Sequence, residues 1–553
     1  MEKILLVEPD YANKFPPIGL MKIASYHRRK DDYVEFYKGK APYTTIVNFD
    51  RVYITTLFTF YYDITIDTIR HYLNHIHKDH VYVGGISATL LDEQYKKDLR
   101  IDNIIAGQLT SSSIIGYKDS INIDALPLDY DILDDVTYKY PSGDNIFIYT
   151  TRGCLRGCEF CAVSKLEPVF KDTNNIVNQI ETIKRKYGDK RNVLIMDNNI
   201  LYSNELDKVV KDLNSVGYIN NMRNYIEPNY FDIMLKKINR RKNNNNKYDK
   251  QLEELIEYLN LFKNRVTSKC FSKRYNEILN YINNDKNKIK ALNRVKKDTI
   301  EILEKYTFKQ KLQRYVDFNQ GLDARLLTKH KMQIMSNLAI KPFRLAYDSL
   351  ADEQNYKNAF NNAYLCGVKY FSNYMLYNYK DSPCDLWKRL HSAILLYENK
   401  PDVQAFSFPM KYAPINTTNR EYIGEKWNKK YLSAINVILN VTKGVVAKEK
   451  DFFYEAFGGN KKEFIKILTM PNQFIKYRML FKKSGHIKTW KRKFNNLNGK
   501  AKNTLLKYLC GSIDRNKIKN KKIISIIELY SITKPPSLRA GKKQNGPREI
   551  MVM

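Results

Sequence analysis

The chain opens on an apolar run, KILLVEP, too short for a helix and closed by a proline, which is the pattern of a buried strand. Gly19 to His27 (GLMKIASYH) changes to helical spacing. RVYITTLF is a second strand, and DITIDTIRHYLNHI after it carries its apolar residues on one helical face. HVYVGGISATLL is a third strand ending in Gly84 and Gly85, and NIIAGQL is read as a fourth. Strands alternating with helices predict a parallel sheet with right-handed crossovers over residues 1–140, a Rossmann-like α/β domain. In such sheets ligands bind beyond the carboxyl ends of the strands, where Gly84 and Gly85 fall.

Residues 120–147 break the pattern. This stretch has two prolines, six aspartates and little periodicity, and reads as a strap between domains. A second α/β series follows over 141–421. NIFIYTTRG is a strand running into a loop, NIVNQIETIKRKYG a helix, and NVLIMDNNI a strand with a polar end. Ser203 to Val216 is a helix with Ser203 as its N-cap. Residues 231–315 look almost purely helical and polar, with the low-complexity stretch NRRKNNNNKYDK inside. The strand pattern returns at YVDFNQGLD, PFRLAYDSL, VKYFSNYMLYN and VQAFSFPMKYAP. That makes six strands, with a helical insertion between the second and third. Residues 422–530 are helical again, and 531–553 have no apolar face and are expected to be disordered.

Charge sharpens this division. The 553 residues carry a formal net charge of +34. Residues 231–315 hold 22 Lys and Arg against 10 Asp and Glu, and residues 426–553 hold 30 against 7, so the remainder is close to neutral. An AT-rich codon bias would enrich Lys, but it would not confine the charge to two blocks. A polyanionic partner, RNA or another, is expected through 231–315 and 426–553. Tyr477, Phe481, Trp490 and Phe494 interleave the second block. They suit either stacking on unpaired bases or the apolar faces of helices. No apolar run approaches the ~20 residues that span a bilayer, and the N-terminus lacks the pattern of a secretory signal. No membrane partner and a cytoplasmic location are expected.

Three of the seven cysteines crowd into TTRGCLRGCEFCAV, as Cys154-x3-Cys158-x2-Cys161, at the end of a strand. Thiolates are soft ligands for zinc or iron–sulfur centres. A structural zinc site closes with four ligands, and no Cys or His lies between Cys161 and Cys270, although a distant residue could complete one. Three thiolates also suit a [4Fe–4S] cluster with one iron left open. Gly153 and Gly157 let the loop wrap.

This spacing, with Phe160 just before the third cysteine, resembles the hallmark of radical S-adenosylmethionine (SAM) enzymes. The resemblance implies a partial (β/α)6 barrel of TIM type, in agreement with the six strands. It implies a [4Fe–4S] cluster on Cys154, Cys158 and Cys161, and SAM on the open iron. Reductive cleavage of SAM would give a 5′-deoxyadenosyl radical that abstracts a substrate hydrogen, with a flavodoxin- or ferredoxin-type electron donor. It further implies SAM contacts at strand ends: Phe160 beside the adenine, Asp197 or Asn198 at the amino group, and Gln320 and Asp323 at the ribose. Arg325 would clamp the carboxylate, and Ser372 and Asn373 would lie near the adenine.

FPPIGLMKIASYHR and VGGISAT make the N-terminal domain similar to the cobalamin-binding domain that precedes many such enzymes. Its cobalt-ligating Asp-x-His-x-x-Gly loop is missing, and His27, His71, His75, His77 and His80 stand in other contexts, so no cobalamin is expected. The domain has no cysteine, which argues against the methylthiotransferase branch with its second cluster. A different class of function stays open: a non-enzymatic nucleic-acid-binding protein with a structural zinc or a redox-sensing cluster.

Overall fold

The computed structural model describes residues 1–173, 175–240 and 245–535. The expected disordered tail beyond 535, and residues 241–244 of the low-complexity stretch, lie outside the described residues. The chain forms two compact units: Met1–Arg344 with Asn361–Val368 and Pro414–Arg420, and Leu345–Phe360 with Lys369–Ala413 and the chain from Glu421 on.

The first unit begins with strands β1 (Lys3–Glu8), β2 (Tyr33–Lys38), β3 (Arg51–Thr56), β4 (Val81–Gly85) and β5 (Ile104–Ile105). They form one sheet in the order β2-β1-β3-β4-β5 with every pairing parallel. Ile4 to Glu8 are all buried, as a central parallel strand requires. The sequence pattern missed β2. It is an edge strand, and YVEFYK spares only alternate positions from solvent, so it lacks the continuous apolar run of its neighbours. The strand order reverses between β1 and β3, which places the ligand crevice of this topology at their carboxyl ends. Gly85 closes β4 at φ +112°, and a Cβ there would collide with the backbone oxygen of Thr56.

The acidic strap is a clasp. Asp124 pairs with Lys22 at 2.8 Å and Arg152 at 2.9 Å, and Asp129 with Arg28 at 2.9 Å. Asp131 takes Arg240 through two bonds of 2.8 Å, and Asp134 takes Lys237 at 2.9 Å. Four aspartates thus tie the helix Ile18–Arg29, the strand series beyond the strap and the first helix of the insertion together.

Beyond the strap come β6 (Ile146–Ile148), the short antiparallel pair β7 (Thr151–Arg152) and β8 (Lys171–Asp172), and β9 (Asn192–Ile195). A second antiparallel pair, β10 (Arg223–Tyr225) and β11 (Leu312–Gln313), brackets the insertion, followed by β12 (Tyr315–Phe318) and β13 (Leu322–Asp323). β6, β9 and β12 are parallel neighbours, with Ile195 opposite both Ile148 and Phe318. The helix after β9 starts at Leu206, later than its expected Ser203 cap. The Ser203 hydroxyl instead accepts the Glu205 N–H at 2.9 Å and donates to Asp172 at 2.5 Å. The insertion is helical as expected, with Tyr230–Arg240, Asn245–Phe262, Lys269–Asn284, Lys288–Arg294 and Lys296–Lys305. Those helices share a core of their own that includes Phe231, Leu235, Leu259, Tyr275 and Leu303.

The second unit receives β14 (Phe343–Ala346) at its boundary and adds β15 (Tyr370–Tyr377), β16 (Gln404–Lys411) and β17 (Val446–Ala447). β15 and β16 are parallel over eight residue pairs, and β17 runs antiparallel to β16. All six strands expected after residue 140 are therefore present. Helix Pro383–Tyr397 starts from a Ser382/Asp385 capping box with Pro383 in its first turn. From Lys429 to Ser531 the chain is almost wholly helical. Phe481, Trp490 and Phe494 are buried there, which removes them as stacking platforms; Tyr477 is half-buried. No helix among the described residues is long and apolar enough to cross a membrane.

Asp131→Ala should show the strap's importance. It leaves Arg240 without its two-bond partner, and a loss of about 2 kcal/mol is expected for this partly exposed pair. A urea midpoint equal to that of the parent chain would contradict the clasp.

Candidate active site

Three parallel neighbours put three strand ends side by side. The residues that follow Ile148, Ile195 and Phe318 must emerge at one edge, and these are the cysteine loop, Met196 to Asn199, and Asn319 to Asp323. Sites of barrel-type sheets are built at this edge.

The loop is held at its base. β7 and β8 pair across it, and Gly153 stands at φ +75°, where a Cβ would collide with the Val169 carbonyl oxygen. Glu167 gathers the polar groups below. It accepts from the Gly153 N–H at 2.7 Å and from the Asn198 amide at 2.8 Å, and pairs with Arg152 at 3.0 Å. The Arg152 guanidinium lies 3.8 Å from the Tyr149 ring centroid and reaches Asp124 of the strap. Asn198 is therefore placed at the site, with its amide engaged by Glu167.

None of the seven cysteines is in a disulfide. Cys154, Cys158 and Cys161 are half-buried, and the Cys161 N–H closes a turn on the Cys158 carbonyl at 2.9 Å. Burial pushes the Cys158 thiol up. Arg156 opposes this, while Cys161 and Cys154 add to it.

Asp323 is the second hub. Arg156, from between the first two cysteines, reaches it at 3.1 Å. Arg325 grips it through Nε at 2.7 Å and Nη2 at 2.8 Å. The guanidinium expected on a SAM carboxylate thus rests on Asp323. Asp197 is buried and ties β9 to β6: it accepts the Thr150 N–H at 2.6 Å and the Thr150 hydroxyl in a short bond. Gln320 is exposed at the same edge and Phe160 is half-buried in the loop. Ser372 and Asn373 belong to the second unit, fully buried in β15. The Asn373 amide donates to Tyr397 at 2.5 Å and Ser407 at 3.1 Å, and its oxygen has no partner.

Sequence reasoning missed Arg156, Glu167 and Tyr202. Tyr202 is half-buried in the turn Ile200–Tyr202. Burial raises its phenol, and Asp323 and Cys154 add to that effect. Arg156 alone had a readable signal, a cation between two thiols. Glu167 and Tyr202 are brought in only by the fold.

Residues 148–307 match the radical SAM superfamily. This part of the chain is a radical SAM domain. Membership implies a [4Fe–4S] cluster and SAM, the chemistry of an enzyme superfamily. A curated protein of Methanocaldococcus jannaschii, named "Putative methylthiotransferase", is 29% identical over 150 residues. That match covers 23% of this chain and 32% of the relative, so the chain spans about a third of the relative's length. Among solved structures, one is the radical SAM methyltransferase TsrM of Kitasatospora setae, with cobalamin and a [4Fe–4S] cluster bound. It aligns at TM-score 0.41 and 10% identity, over 75% of this chain and 77% of that one.

The radical SAM domain's Asp197 makes a pH prediction. Burial pushes its carboxyl up to about 6, against about 3.9 in an unfolded chain. Below about pH 4 the group is protonated in both states. As pH rises through 6, the unfolded chain ionises first, so Asp197 withdraws about 3 kcal/mol of stability, all of it lost above the folded value. Asp197→Asn should flatten that part of the stability profile between pH 4 and 7. Identical pH slopes in urea for the two proteins would contradict this.

Proposed function

We propose that the chain is a radical SAM enzyme with a single [4Fe–4S] cluster on Cys154, Cys158 and Cys161. The observation that carries the proposal is the placement of these thiols at the end of β6, next to the polar ends of β9 and β12. The donor set fits the group: three soft ligands outside any disulfide, one fewer than a closed structural zinc site takes. The bound cluster would supply the electron that cleaves SAM reductively, beginning hydrogen abstraction from the substrate.

The chain's own residues then have separate tasks. Glu167, Arg152 and Gly153 hold the loop so that the thiols need no reorganisation when the cluster binds. Asp197 fixes the spacing of β6 and β9 and leaves Gln320 and the side-chain oxygen of Asn198, whose NH2 is held by Glu167, to meet the cofactor. Asp323 holds two guanidinium groups at the site. An incoming carboxylate would compete with Asp323 for Arg325 or Arg156, and the geometry of such a grip is bidentate.

We expect no cobalamin in the N-terminal domain. Its carboxyl edge is occupied by Glu8, which accepts from Asn13 at 2.6 Å and pairs with Lys38 at 2.7 Å. Tyr11 stacks on Tyr61 at 4.8 Å there. His27 is sealed inside, bonded to Asp32 at 2.9 Å and Tyr53 at 3.2 Å. A methyl or methylthio group as the product would follow the names of the two similar proteins. Nothing in the site's geometry selects either.

Anaerobic reconstitution tests the proposal. A brown protein with about four irons per chain should form, and dithionite with SAM should yield 5′-deoxyadenosine. Cys158→Ala should lose both colour and cleavage. A colourless chain that retains one zinc would refute the enzyme and favour a zinc-containing binding protein.

A further inference from the structure

We infer that the C-terminal helical region docks the phosphodiester backbone of a double-helical nucleic acid, the substrate class of the enzyme proposed above. The link to substrate rests on the function proposed above; the docking surface does not.

The charge in this region is nearly all of one sign. Between residues 464 and 527 there are 17 Lys and Arg and one acid, Asp514. Three of those cations are answered: Arg478 and Lys482 by Glu455, and Lys517 by Asp514. Helix His486–Asn495 shows how the rest are arranged. Ile487, Trp490 and Phe494 form its buried face. Lys488, Lys491 and Arg492 repeat at three and four residues on the opposite face, all exposed. Side chains so spaced stand about 5–6 Å apart in a row. Among the described residues, none of the three makes an ion pair.

The row leads to a cleft of about 360 Å³ lined by Lys493, Asn496, Lys522 and Ser525. No acid lines it. Lys493 donates to the Ser525 carbonyl at 2.8 Å, which holds its ammonium at the wall. Lys522 stands in the first turn of helix Lys521–Ile527 and is exposed. A row of unanswered cations beside a cationic cleft with two neutral hydrogen-bonding side chains suits a chain of phosphates.

The buried aromatics decide which kind of nucleic acid fits. Single strands are gripped by rings that stack on bases. Phe481, Trp490 and Phe494 are core residues and Tyr477 and Tyr508 are half-buried, so no ring between residues 464 and 527 stands exposed as such a platform. What remains is recognition of the backbone, for which a duplex presents the regular, dense charge.

The test is fluorescence anisotropy of the full chain with a labelled 20-base-pair RNA duplex, the matching DNA duplex and a single-stranded oligo(U), from 50 to 300 mM KCl. Either duplex should bind with a steep salt dependence, and the tighter one identifies the natural source. The triple variant Lys488→Ala, Lys491→Ala, Arg492→Ala should weaken duplex binding at least tenfold at 100 mM and reduce the salt slope by about 3. A control that removes Lys78, Lys97 and Lys118 from the N-terminal domain should change neither. Circular dichroism confirms folding of each variant, since all six side chains are exposed. Salt-insensitive binding overturns the proposal. So does tenfold tighter binding of oligo(U), equal competition by polyglutamate, or a triple variant that behaves as the control. Cys158→Ala should bind the duplex unchanged, so a failed cluster and a failed docking surface give different results.

Discussion

The geometry of the cysteine loop depends on one half-buried carboxylate. Glu167 takes a backbone N–H from Gly153, an amide from Asn198 and a guanidinium from Arg152. Each bond is charge-assisted, and together they satisfy an ion that burial would otherwise make costly. Arg152 passes the constraint on to Asp124, where Lys22 also ends. Burial opposes the charge on Asp124, but Lys22 and Arg152 outweigh it and hold the carboxyl below the usual range. The loop, the strap and the first helix are thereby one electrostatic unit. Removing one member of such a network leaves the others uncompensated, so its parts are not independent.

A second ion-pair group faces the ligand side. Asp323 holds Arg156 and Arg325. The two groups differ in burial. Arg152 is almost wholly enclosed, whereas Arg156 and Arg325 are each about one-third exposed. The inner group can therefore serve as scaffold, while the outer one can exchange partners with a ligand at little desolvation cost. That division gives the candidate site rigid and responsive parts on the same three strands.

The two basic blocks have different internal logic. The insertion encloses its own apolar core and spends several cations on internal pairs, such as Lys236 and Lys296 on Asp232 and Arg274 on Asp298 and Glu301. The C-terminal block has almost no acids with which to do the same. Its charge is left facing outward: helix His486–Asn495 buries Ile487, Trp490 and Phe494 on one side and exposes Lys488, Lys491 and Arg492 on the other.

Much of this was legible in the chain. The cysteine spacing, the six strands after residue 140 and the polar strand ends follow from local pattern, because periodicity and ligand spacing are properties of short segments. The edge strand β2 was not legible, since one-sided burial produces an alternating stretch that resembles a connector. Nor were the partners of the predicted site residues. Asp197, Asn198 and Arg325 lie at the strand ends where the sequence put them, yet Thr150, Glu167 and Asp323 engage them. Ser372 and Asn373 are strand-core residues of the second unit. The sequence by itself determined which chemistry the chain can carry: soft thiolates at one strand end and cations in two blocks. The tertiary structure alone decided which polar groups meet a ligand and which hold the frame, because a side chain's availability depends on neighbours distant in sequence. It also settled the aromatics of the C-terminal block, since whether a ring stacks on a base or fills a core depends on what the other helices cover.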